Sequence, residues 1–107
     1  MNTLMAIISH HCLDEVRTAL IEQGLRGLTV TEIKRYDFRQ YRSDGNRIGW
    51  IRAVKLEAIV TEEQVQRAIS AIVETVRKTS QADGLVFLLD SEKVLRVRTG
   101  ETGPNAI

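Results

Sequence analysis

The sequence predicts an α+β fold, a small antiparallel sheet carrying two helices on one face. Apolar residues recur at strand spacing in four main stretches and at helical spacing in two, in the order strand, helix, strand, strand, helix, strand. Turn-forming residues separate these stretches. A chain of 107 residues is long enough for one core and too short for two, so residues 1–107 read as a single domain.

Residues 3–9 are short and mostly apolar, which predicts a strand buried on both faces. His10-His11-Cys12 interrupts, and Asp14 and Glu15 then place acidic side chains in the first turn of a helix, where they favour its dipole. Leu13, Val16, Leu20 and Ile21 form that helix's apolar stripe, and Gly24 ends it. From Gly27 to Tyr36, Leu28, Val30 and Ile33 are interleaved with Thr29, Thr31 and Glu32, a second strand. Between about 35 and 52 the character changes: Arg35, Arg39, Arg42, Arg47 and Arg52 are mixed with Tyr36, Phe38, Tyr41 and Trp50 around the turn signal Asp44-Gly45-Asn46. This predicts a protruding loop whose Tyr36, Phe38, Tyr41, Arg42, Arg47 and Trp50 dock on a protein partner.

Residues 51–60 alternate cleanly and form a third strand. Thr61 caps a second helix, with Gln64 completing a capping box and Val65, Ala68, Ile69, Ile72 and Val76 on the apolar face. A polar loop, 79–84, leads to a fourth apolar strand, Leu85–Leu89. Then comes a short C-terminal strand or arm in which Val94, Arg96 and Arg98 share one face and Leu95 and Val97 the other. On an extended strand the two guanidiniums lie roughly 6–7 Å apart. Such a pair, followed by Gly100 and Gly103, suits a polyanion such as a nucleotide's phosphates. The plainer reading is an edge strand with two solvated arginines. The whole order is the ferredoxin-like βαββαβ sandwich, and its bare sheet face calls for an oligomer to cover it.

Composition narrows the function. Apolar content of 43% and charged content of 27% are globular, and a net charge of +1 argues against a dedicated nucleic-acid binder. Arginines and aromatics in the loop could stack on single-stranded nucleic acid, but nothing else in the composition supports that. One cysteine, Cys12, excludes an internal disulfide and fits a reducing compartment. The N-terminal stretch has neither a basic leader nor a long apolar run, so no signal peptide and no membrane insertion are expected, and a cytoplasmic location follows.

The blocks Leu13-Asp-Glu-Val-Arg17, Gly27-Leu-Thr-Val-Thr-Glu32, Lys55-Leu-Glu-Ala-Ile-Val60 and Val94-Leu-Arg-Val-Arg-Thr-Gly-Glu-Thr-Gly103 resemble the PII signal-transduction family across nearly the whole chain. The resemblance implies a homotrimer with nucleotide sites in the clefts between subunits and a long loop that reaches a target protein, an enzyme or a transporter. It implies that Arg96 and Arg98 contact phosphates from across the cleft. Gly27, Leu28 and Thr29 would lie beside the adenosine, and Ile7 and Ile59 near the base. Asp83 and Gly84 would form the phosphate turn, and Arg39 and Gln40 the base of the long loop.

The departures from that pattern carry the finer expectations. Where the family has Gly-Asp-Gly-Lys, this chain has Ala82, Asp83, Gly84 and Leu85, so a cation aimed at the outer phosphates is missing. ADP or AMP is therefore expected to bind in preference to ATP. The loop is shorter than usual. Asn46 stands at the family's modifiable tyrosine, which weighs against uridylylation there. Ala53 stands at the lysine that pairs 2-oxoglutarate, which weighs against a response to that acid. Two alternatives remain: a ligand-independent trimeric adaptor with a degenerate site, or a sensor of a small anion such as bicarbonate at Arg47 or Arg52.

No catalytic and no metal residues are assigned. His10, His11 and Cys12 are adjacent and cannot all converge on one ion, and they read as packing at a strand–helix junction. No nucleophile–base pair is visible, so slow hydrolysis near Asp83 or Glu101 is the weaker reading and a binding switch the better one.

Overall fold

A computed structural model describes residues 1–36, 38, 49–79 and 84–107. The main elements are β1 (Asn2–Ser9), α1 (Leu13–Glu22), β2 (Thr29–Arg35), β3 (Ile51–Val60), α2 (Glu62–Arg77) and β4 (Gly84–Asp90). The strands form one antiparallel sheet in the order β2-β3-β1-β4, which is the ferredoxin-like arrangement.

Strand alternation decides which side of the sheet the helices cover. Leu4, Ala6 and Ile8 on β1 and Val54, Leu56, Ala58 and Val60 on β3 are buried under the helices. They pack with Val16 and Leu20 of α1 and with Val65, Ala68, Ile72 and Val76 of α2. The expectation that β1 is buried on both faces holds for one face only. Thr3, Met5 and Ile7 on the other face stay partly exposed, because among the described residues no second layer packs over them.

Each helix is bounded by local chemistry. The Thr61 N–H donates to Gln64 Oε1 at 3.0 Å, one half of the capping box that starts α2. Just after α1, Gly24 adopts φ +85°, a left-handed conformation that a side chain would strain. Ile21 does not join the stripe of α1. It is 63% exposed, since one step from Leu20 turns it about 100° away from the core.

The C-terminal arm folds back where an extended strand was expected. A single bridge joins Leu95 to Thr102. The Arg96 N–H donates to the Glu101 carbonyl at 2.8 Å, and the Gly100 N–H to the Arg96 carbonyl at 2.7 Å. Gly100, at φ +77°, makes that turn possible, and the Thr99 hydroxyl donates to the Glu101 carboxylate at 2.8 Å. Arg96 and Arg98 therefore belong to a tight turn and not to one face of a strand. Val97, between them, is 90% exposed. A 3-10 turn at Gly103–Ala106 follows.

Candidate functional site

The segment leading into β2 and the C-terminal arm enclose a cleft of about 820 Å³. Gly27, Leu28 and Thr29 form one wall and Ile59 of β3 the floor, while Arg96 and Arg98 reach in from the arm. A Cβ at Gly27 would meet nothing within 4 Å, so that glycine leaves a gap in the wall and is not demanded by packing within the chain. Six of the eleven residues singled out for a nucleotide thus gather within a single chain.

The charge of this cleft is positive. Arg26 also lines it, a residue the sequence reading missed although it directly precedes the Gly27-Leu28-Thr29 segment. The acidic lining residue, Glu57, has its carboxylate 3.4 Å from Lys55 Nζ. Among the described residues no carboxylate pairs with Arg26, Arg96 or Arg98. The arrangement can attract and fork onto anionic oxygens.

Ile7 and Gly84 lie elsewhere. Thr3 pairs with Ile59 but Ile7 pairs with Lys55, four residues further along β1, roughly 13 Å at the strand rise. Ile7 also pairs with Leu85 of β4, so Ile7 and Gly84 belong to the β4 side of the sheet. Arg96 and Arg98 are accordingly on the same chain's side as Gly27–Thr29 and Ile59. Only relative to Ile7 and Gly84 would they act from a neighbouring copy. Arg39, Gln40 and Asp83 lie outside the described residues.

Gly84 has a packing role of its own. A Cβ there would come 3.0 Å from the Ile7 carbonyl oxygen and 3.4 Å from Ile8 Cγ2, so the glycine lets β4 approach β1. Leu85 is 51% exposed on the sheet's open face beside Ile7. Phe87 and Leu89 continue that apolar strip. Ala53 is buried.

Between β2 and β3, Tyr36, Phe38 and Trp50 are exposed, and Lys34 Nζ sits 4.6 Å from the Trp50 ring centroid. Tyr41, Arg42 and Arg47 lie outside the described residues. Cys12 is fully buried, with its Sγ 3.4 Å from Thr79 Oγ1. The Thr79 hydroxyl donates to the Val76 carbonyl at 2.8 Å, which leaves the thiol as donor to Thr79. His10 Nδ1 lies 3.2 Å from the Arg52 carbonyl and donates to it. Among the described residues no helix is long and apolar enough to cross a membrane.

Comparison with known proteins matches residues 1–101 to the family model described as nitrogen regulatory protein P-II. Proteins named nitrogen regulatory protein P-II from Pasteurella multocida and Azospirillum brasilense are each 38% identical over 112 aligned residues, covering 100% of both chains. The protein of that name from Cereibacter sphaeroides is 36% identical over the same span.

Proposed function

The chain belongs to the nitrogen regulatory protein P-II family, and on that premise we propose how it acts as a signal-transduction regulator. It assembles as a homotrimer and binds ADP or AMP, in preference to ATP, in clefts between subunits. The bound nucleotide biases the long loop, and the loop docks on or releases an enzyme or a transporter.

The observation that carries this reading is the division of the proposed site. Gly27, Leu28, Thr29, Ile59, Arg96 and Arg98 gather at the β2 side, and Ile7 and Gly84 at the β4 side. One chain holds two unlike half-sites. Joining the β4 side of one copy to the arm of the next completes a site, and repeating that head-to-tail contact closes a ring. The apolar strip of Leu85, Phe87 and Leu89 gives such a contact its driving force.

Within a completed site Arg96 and Arg98 neutralise phosphate, and the backbone near Asp83 and Gly84 supplies amide donors. Leu85 brings no cation to the outermost phosphate, which is why the shorter nucleotides bind better. Arg39 and Gln40 link the occupied site to the loop. Tyr36, Phe38, Tyr41, Arg42, Arg47 and Trp50 form the partner surface. The exposed Leu85 also favours a second reading, a ligand-independent adaptor.

Calorimetric titration with AMP, ADP and ATP, with and without magnesium, decides between the two. Saturable binding with ADP or AMP tighter than ATP is expected, and Arg98→Ala should weaken it by about tenfold or more, the range for a lost charge-assisted hydrogen bond. Equal or tighter ATP binding would contradict the preference. An unchanged affinity in Arg98→Ala would remove that residue from the site, and no binding to any of the three leaves the adaptor.

A further inference from the structure

We propose that the 3-10 turn at Gly103–Ala106 is a positioning device for Arg96, holding its guanidinium aimed at an anion in the cleft. This rests on the anion-binding reading of the cleft given above.

Arg96 is fixed at both ends. Its backbone N–H and carbonyl are both engaged, with Glu101 at 2.8 Å and Gly100 at 2.7 Å. At the far end its Nε donates to the Ala106 carbonyl at 3.0 Å. That bond uses one of the guanidinium's five N–H groups and leaves the four on the terminal nitrogens for an anion. Arg98, two residues on, has no such tether among the described residues.

The turn is itself anchored. Ala106 is 3% exposed and is the one buried residue between Ser91 and Ile107. Gly103, at φ +65°, donates its N–H to the Val94 carbonyl at 3.1 Å, and Pro104 opens the turn with a fixed φ. Ala106 and Ile107 also line the cleft. A long, rotamer-rich side chain loses freedom when it binds, and holding it ready beforehand removes much of that cost. Arg96 is accordingly pre-oriented, and Arg98 is ordered by the ligand.

The test is a double-mutant cycle read by ADP titration on the full chain, with thermal unfolding as a control. Ala106→Leu overfills the buried anchor site without adding charge to the cleft and should weaken ADP binding roughly 3- to 10-fold, while Ala106→Ser should keep the wild-type affinity. In an Arg96→Ala background the same Ala106→Leu change should have no further effect, because the arginine it positions is gone. Equal losses in both backgrounds, or no loss in either, would overturn the proposal, since a purely structural anchor gives additive effects. Should Ala106→Leu fail to fold, Pro104→Gly loosens the turn without filling the core and is read in the same cycle. If the wild-type protein does not bind ADP, the reading of the cleft fails and takes this proposal with it. A wild-type protein that binds ADP but shows additive losses sinks the positioning role alone.

Discussion

At the β2 edge of the sheet's open face, three arginines gather beside a glycine-led segment, two of them carried there by the folded arm. At the β4 edge the exposed side chains are Leu85, Phe87 and Leu89, and the glycine that starts the strand serves close strand packing. Under the proposed function, one edge would hold an anion and the other would meet an apolar surface. A nucleotide cleft made from both would, among the described residues, draw its side-chain cations from one side.

The most damaging way to break the comparison is to charge the apolar edge. Phe87 pairs with Met5 near the middle of the open face and is 40% exposed in the single chain. Phe87→Asp leaves the helix-covered core untouched but puts a carboxylate where a second copy would bury it, at a cost of several kcal/mol. Sedimentation should show single chains, with ADP affinity reduced by about a hundredfold or more as the half-sites part. An intact oligomer with unchanged binding would show that the two edges do not meet.

Leu85→Lys sharpens the comparison by giving the apolar edge the cation it lacks. With half of Leu85 exposed, a lysine stem fits along the same surface with its ammonium in solvent. ATP affinity should rise about tenfold relative to AMP, the scale of one charge-assisted hydrogen bond, with AMP itself little changed. Titration of both nucleotides against Leu85→Lys and Leu85→Ala checks this. A ratio that Lys and Ala move equally would mean that bulk, not charge, sets the preference.

What the sequence disclosed depended on how local the cause was. Strand alternation in 51–60, the Thr61–Gln64 cap and the Gly24 stop act within a few residues, and all appear in the structure. The arm misled because Val94 to Arg98 alternates like a strand, whereas Gly100 and the Thr99–Glu101 bond fold it into a turn. Ile21 misled because it touches the edge of a stripe that the sheet does not reach. Arg26 was missed since only the folded arm brings it to the arginines at 96 and 98. That Gly84 has a packing cause becomes visible only when β4 is laid beside β1.

Gly84→Ala is the gentlest of these changes and separates two reasons for one glycine. The added methyl would sit 3.0 Å from the Ile7 carbonyl oxygen, so β4 must give by a few tenths of an ångström. The expected cost is about 1 kcal/mol, a fall of several degrees in Tm for a domain of this size. Alanine keeps the backbone N–H, so any amide offered to a phosphate survives. If packing is the reason for the glycine, AMP, ADP and ATP should all lose affinity by the same small factor. A loss that instead grows from AMP to ATP would mean that the phosphate chain passes over this position. The β4 edge would then take part in phosphate recognition through its backbone, and the asymmetry between the two edges would be one of side chains alone.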